Sequence, residues 1–128
     1  MSETVYPNYR TSTVTLTGQG FTAPVAVPAR YMRQGLTVLL ALPTIEGASN
    51  ASTFTLEGLP AGLTPAALTL QIVRILDNSV VRAGLLVLRA GSRVIEVYAR
   101  PDGDDFVPVG RKGLAGCVVP YVCLPGEG

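Results

Sequence analysis

Short runs in which apolar residues alternate with Thr or charged residues follow one another along nearly the whole chain, separated by breaks rich in Gly, Pro or Asn. Near the start, Thr13, Thr15 and Thr17 alternate with Val14 and Leu16. Alternation with period two is typical of a half-buried strand, and closely spaced turn signals are typical of all-β domains. The sequence therefore predicts an all-β fold: an antiparallel β-sandwich of eight or nine strands, arranged like a jelly roll.

The clearest predicted hairpin joins residues 25–33 to residues 36–42. Gln34 and Gly35 form a turn signal between two runs of alternating residues. Because Pro28 has no N–H to donate, it limits the first of these strands to a sheet edge or a bulge.

The rest of the sequence predicts further strands, separated by one loop and one longer connection. A polar loop over residues 43–52 and a connection over residues 58–65 interrupt the strands, and residues 65–75 could also carry a helical period. The predicted strands are 53–56, 67–76, 80–88, 94–99 (a hairpin partner of 80–88 across residues 90–92), 106–109 and 115–123.

The first ten residues lack this periodicity and predict an extended N-terminal arm over residues 1–10, followed by a single β-sandwich domain over residues 11–128. Aromatic and Arg side chains contribute strongly to protein interfaces. The candidate partner-contact residues are therefore in the arm, and a disordered tail is the alternative for the same segment. These residues are Tyr6, Pro7, Tyr9 and Arg10.

Charge is scarce in this chain, since Asp, Glu, Lys and Arg make up only 15% of its 128 residues, against about 25% in typical domains. A small domain has proportionally much surface to hydrate, so few charges suggest that part of the exterior is covered by another protein. We expect self-association, as a homotrimer or homodimer, or incorporation into a larger assembly.

The net charge of +1 argues against nucleic acid as a partner, because phosphate binding relies on clustered Lys and Arg. No apolar run reaches the length of a membrane span, and the N-terminus does not resemble a secretory signal. The expectation is a protein made in the cytoplasm that stays soluble until it docks, with no membrane partner.

The absence of His removes the commonest proton carrier, so we expect no enzyme, no catalytic residues and no cofactor. Asp102, Asp104 and Asp105 could offer oxygen ligands to Ca²⁺, but Gly113 stands where an EF-hand loop needs a bidentate Glu. We therefore expect a solvated turn there and no metal site.

Cys117 and Cys123 are the only cysteines. On one extended strand they would lie roughly 20 Å apart, much farther than a disulfide allows. They are predicted to be reduced, small hydrophobic residues unless Pro120 folds the strand back.

Several segments share an order of turns and strands with one kind of viral module. Residues 47–65 read GASNASTFTLEGLPAGLTP, and residues 13–18, 31–40 and 110–113 supply TVTLTG, a Tyr-x-x-Gln-Gly turn before Val-Leu-Leu, and Gly-Arg-Lys-Gly. This pattern resembles a recurring module of bacteriophage virion proteins, found at the ends of tail fibres and in other surface proteins. The resemblance implies a β-rich, oligomeric virion component.

Because the chain consists of this module and a short arm, without a shaft, it resembles a small capsid decoration, or cement, protein more than a fibre tip. The resemblance then implies that the protein stabilises the head shell by bridging neighbouring copies of the major capsid protein at the virion surface. The alternative is a tail-fibre or tail-tip module that binds a host receptor, with residues 44–52 and 102–105 facing that receptor.

Overall fold

A computed structural model describes residues 12–125, and these residues form ten β-strands in one antiparallel sheet. One short 3-10 turn, Ala61–Leu63, lies in the connection before β6. The strands are β1 Ser12–Gln19, β2 Val25–Gln34, β3 Thr37–Leu42, β4 Ile45–Ala48, β5 Thr55–Glu57, β6 Thr69–Asp77, β7 Val80–Leu88, β8 Val94–Tyr98, β9 Arg111–Leu114 and β10 Cys117–Val122.

The sheet has the strand order β10-β3-β2-β1-β5-β8-β7-β6-β9-β4, and it curls until β6 lies beside the outer edge of β10. The Gln71 amide donates a 3.0 Å hydrogen bond to the Val118 carbonyl, and the Ala66 N–H donates to the Val122 carbonyl at 2.8 Å. Curling turns one face of every strand toward a common interior. The largest apolar side chains that are fully buried there include Phe54, Leu16, Leu40, Leu56, Leu59, Ile75, Leu86, Leu88, Ile95 and Leu114.

The prediction of an all-β, antiparallel fold is confirmed, but the jelly-roll sandwich is not. Ten strands are present among the described residues instead of eight or nine, and all of them belong to one curled sheet. A curled sheet and a sandwich both place alternate residues of each strand in a shared core, so period-two alternation does not distinguish them.

The predicted hairpin between β2 and β3 is confirmed, with Gln34 paired to Thr37 and the turn at Gly35 and Leu36. The sheet accommodates Pro28 although β2 has neighbours on both sides. Pro28 pairs with Thr15 of β1, while the pairing with β3 begins only at Arg30. The missing N–H of Pro28 therefore costs no hydrogen bond to β3.

Two local predictions were wrong, since residues 43–52 contain strand β4 and residues 106–109 are not a strand. The predicted strand over residues 67–76 is confirmed as β6, which excludes the alternative of a helix over residues 65–75. Within residues 106–109, the Phe106 N–H donates to the Ser52 carbonyl and the Val107 N–H donates to the Asp77 carboxylate. The strand forms instead at β9, which pairs with β4.

The predicted arm over residues 1–10, with Tyr6, Pro7, Tyr9 and Arg10, lies outside the described residues. Within residues 12–125, no helix is long and apolar enough to cross a membrane. Cys117 and Cys123 are free thiols, as predicted, and Cys123 is fully buried. Burial also raises the pKa of the Cys117 thiol.

Candidate binding surfaces

An open cleft of about 590 Å³ lies where β7 passes the turn that follows β8. Its volume is in the range of small-ligand sites. We call it the arginine cleft, because two of its side chains are arginines from different elements. It is lined by Val81, Arg82, Ala83, Arg100, Pro101 and Asp102.

Each guanidinium group of the cleft lies near an aspartate of the described chain without a hydrogen bond to it. Arg82 Nε lies 4.0 Å from the Asp77 carboxylate and Arg100 Nε lies 3.8 Å from the Asp104 carboxylate, both too long for a hydrogen bond. No acceptor in residues 12–125 takes a hydrogen bond from either guanidinium. Two arginines without a hydrogen bond from the described chain therefore line the same open volume.

Other arginines of the described chain are engaged in structural contacts. Arg33 and Arg93 donate to backbone carbonyls, and Arg111 pairs with Glu46 at 2.8 Å. Arg89 pairs with Glu96 through two hydrogen bonds. The side chains of Arg30 and Arg74 make neither a hydrogen bond nor an ion pair within residues 12–125, so Arg82 and Arg100 are distinguished by lining one cleft together.

The remaining lining of the cleft combines acceptors with small apolar surfaces. Asp102 begins a tight turn in which its carboxylate accepts the Asp104 N–H at 3.2 Å, and Gly103 adopts a φ of 93°. Val81 is 60% exposed, and Pro101 presents a rigid ring beside it. The cleft thus offers cationic donors, one carboxylate acceptor and apolar walls.

A second feature is an exposed apolar band on the outer side of the sheet, where β6 lies beside β10. In the first half of β6, the outward side chains are large and apolar: Leu70 and Ile72 are 57% and 59% exposed. On β10, Val118 and Val122 are about half exposed. We call this band the apolar strip: Leu39, Leu68, Leu70, Ile72, Val118 and Val122.

The third feature is a fully buried lysine, Lys112, the only lysine of the chain. Its ammonium donates to the carbonyls of Ala51 at 3.1 Å and Thr53 at 2.6 Å. It also lies 5.1 to 5.7 Å from the centroids of three phenylalanine rings, a cation–π arrangement. These rings are those of Phe21, Phe54 and Phe106.

Burial lowers the pKa of Lys112 to about 8, and the negative charge of Asp77 partly opposes this shift. Two carbonyls and three ring faces take the place of water around the ammonium inside the core. Lys112 therefore links β9 to the segment that contains Ala51 and Thr53. Because it is enclosed, Lys112 offers no surface to a partner.

A polar cluster on β8 is less suited to ligands because its groups satisfy one another. The Glu96 carboxylate accepts hydrogen bonds from Arg89 and from the Tyr98 hydroxyl. The Arg89 hydrogen bond holds the pKa of Glu96 below its usual value, and the hydrogen bond to Glu96 raises the pKa of Tyr98.

The predicted turn at Asp102, Asp104 and Asp105 is confirmed, and within residues 12–125 no cluster of three or more potential ligands could hold a metal ion. The sequence interpretation missed Arg82 and Arg100. The sequence feature that pointed to an exposed Arg100 was its position directly before the Pro-Asp-Gly turn. Nothing in the sequence placed Arg82 in the same cleft. The roles of Lys112 and of the outward face of β6 were also missed.

No protein-family model and no curated protein sequence matches the chain. Among solved structures, the fold is similar to the reovirus attachment protein sigma1, whose crystal structure was determined in complex with α-2,3-sialyllactose. The match has a TM-score of 0.50 and 16% sequence identity, and covers 91% of this chain and 67% of that chain. At this identity the likeness concerns the fold.

Proposed function

We propose that this chain is a virion surface module that attaches to a host receptor. One observation carries the proposal: the curled sheet matches a viral attachment protein over 91% of this chain. That protein was crystallised with a sialylated sugar, which makes a glycan the first class of receptor to consider. In this proposal the role is binding rather than catalysis, and the receptor is a glycan on the host cell.

The bacteriophage origin suggested by residues 47–65 stays a prediction, and it makes bacterial surface polysaccharides the first receptors to test. The virion surface location and the synthesis in the host cytoplasm belong to the same proposal. The proposal also includes self-association, as a homotrimer or homodimer. Several weak receptor sites on one particle bind a surface much more strongly than a single site does.

The receptor role can be tested with the purified full chain coupled to fluorescent beads and applied to a glycan array. The array should carry bacterial lipopolysaccharides and capsular polysaccharides beside sialylated and neutral vertebrate glycans. We expect a restricted set of glycans to retain the beads above albumin-coated control beads. Retention equal to that of the albumin beads on every glycan would contradict the proposal.

A second candidate function is capsid decoration, in which the protein bridges copies of a major capsid protein. The apolar strip favours it, because covering exposed apolar side chains with a neighbouring subunit removes them from water and stabilises the assembly. Co-sedimentation with empty shells tests this role. Decoration predicts that the full chain saturates the shells in a fixed ratio, and failure to pellet with shells removes this candidate.

A further inference from the structure

We propose that the arginine cleft is the receptor site and that it binds the carboxylate of an acidic sugar. This inference rests on the receptor role proposed above and names the chemical class of the ligand. The site is built by Arg82 of β7 and Arg100 of the following turn, which line one open cleft. A neutral glycan would leave the two guanidinium groups of this cleft with only their aspartate neighbours, at distances too long for a hydrogen bond.

The chemistry of the cleft selects a carboxylate. A guanidinium presents pairs of parallel N–H donors that match the two oxygens of a carboxylate, and such pairs are among the stronger hydrogen bonds in proteins. The protein carboxylates nearest to Arg82 and Arg100 are 4.0 Å and 3.8 Å from their Nε atoms. Each arginine is therefore held near an acid by charge, and no acceptor in residues 12–125 takes its hydrogen-bonding donors.

The other walls select a sugar rather than a bare anion. The Asp102 carboxylate can accept hydrogen bonds from sugar hydroxyls, while Val81 and Pro101 offer apolar contact to the C–H face of a pyranose ring. A volume of about 590 Å³ accommodates one or two sugar rings. The acidic neighbours Asp77, Asp102 and Asp104 would repel a small, highly charged anion such as phosphate, and a singly charged sugar acid suffers this repulsion least.

The position of the cleft leaves it accessible while the apolar strip is covered. Its walls come from the β7 end of the β6–β7 hairpin and from the turn after β8. The strip is formed by the other half of β6 together with β10 and β3. Self-association through the strip is thus compatible with an open cleft.

The direct test is a ¹⁵N-labelled NMR titration of the full chain with α-2,3-sialyllactose, D-glucuronic acid and lactose. We expect both acids, but not lactose at the same concentration, to shift the amide signals of Ala83 and Asp102. Arg82→Ala and Arg100→Ala should each weaken acid binding about tenfold. Arg82→Lys should recover only part of the loss, because it restores charge without the planar fork.

Arg30→Ala is the matched control, since Arg30 is an exposed arginine on β2 outside the cleft, and it should leave acid binding unchanged. Amide signals that stay in place away from each substitution show that the variants keep the fold. Equal binding of lactose, shifts centred elsewhere, or no loss in the arginine variants would each overturn the inference.

The bead assay separates failure of the inference from failure of the proposed function. Glycan-specific bead retention that survives the Arg82→Ala, Arg100→Ala double variant leaves the receptor role standing and rejects this cleft. Absence of retention on every glycan rejects the receptor role itself, whatever the NMR titration shows. Loss of retention in the double variant alone, with the Arg30→Ala beads retained, supports both.

Discussion

The Lys112 ammonium donates a 2.6 Å hydrogen bond to the carbonyl oxygen of Thr53, which joins strand β9 to the segment that precedes β5. The same ammonium lies against the ring of Phe54, whose plane is nearly perpendicular to that of Phe21. A charge placed in the core is tolerated because carbonyls and ring faces replace its water. The lysine therefore holds β9 against the segment that leads into β5, although β9 and β5 are not neighbours in the sheet.

Replacing Lys112 by Met should lower the free energy of unfolding by about 2 kcal/mol at pH 7. Met has a similar length and fills the space, but it removes the Lys112 hydrogen bonds to the carbonyls of Thr53 and Ala51, of which only Ala51 keeps another side-chain donor, the Ser49 hydroxyl. Urea denaturation followed by circular dichroism measures the change. The matched control is Arg111→Met, which removes an exposed ion pair with Glu46 and should cost less than about 1 kcal/mol. A Lys112→Met variant as stable as the wild type would show that the buried ammonium is dispensable.

Stability should rise with pH in a window set by Lys112. Its folded-state pKa of about 8 lies below the ordinary value of 10.5, so between these values the unfolded chain holds a proton that the folded chain has released. Increasing pH then favours the folded state, by up to about 1.4 kcal/mol per pH unit.

Urea denaturation of the wild type and Lys112→Met at pH 7, 8, 9 and 9.5 tests this sign, because subtracting the two profiles removes the contributions of Tyr and Cys. The wild type should gain stability relative to the variant as pH increases. If the wild type instead lost stability relative to Lys112→Met as pH increases, the carbonyls and rings would stabilise the ammonium more than burial destabilises it, and the pKa would be raised.

Gly20 should tolerate no side chain. It has a φ of +105°, and a Cβ there would lie 2.0 Å from the Thr53 carbonyl oxygen and 2.7 Å from Lys112 Nζ. Gly20→Ala should therefore destabilise the fold by more than about 3 kcal/mol, combining backbone strain with a backbone clash. Gly35→Ala is the control, since Gly35 also has a positive φ but an added Cβ would meet nothing within 4 Å. It should cost only about 1 kcal/mol, and equal thermal unfolding of both variants would contradict this account.

Charges placed on the apolar strip should prevent self-association without unfolding the protein. Leu70 and Ile72 are more than half exposed, so changing both to Lys removes little buried surface. Sedimentation velocity should show a concentration-dependent oligomer for the wild type and a monomer for the double variant. Thr13→Lys with Thr15→Lys, on the exposed polar face of β1, should behave like the wild type. A wild type that is monomeric at every concentration would show that the strip does not mediate self-association.

The sequence predicted the strands where alternation was clear and failed where a tertiary contact decides the structure. Ile95 and Val97 point inward while Glu96 and Tyr98 point outward, as their period implied. Strand β4 was missed because Glu46, Gly47 and Ala48 carry no apolar alternation, and it forms because β9 pairs with it.

Sequence patterns also could not place side chains that depend on distant residues. The residues of β6 do alternate between two faces, as the sequence predicted. Because both faces carry large apolar residues, the sequence does not show that Ile72 faces outward and Ile75 inward. The only lysine of a chain is by itself expected at the surface. Lys112 is buried because Phe21, Phe54 and Phe106 come from three separate segments to surround it.

Electron cryomicroscopy of purified virions that carry this chain tests the virion surface role most directly. The account predicts density for the curled sheet on the outside of the particle, with the apolar strip covered by a neighbouring subunit and the arginine cleft open to solvent. Particles that lack this density, or that bury Arg82 and Arg100 against another subunit, would contradict it.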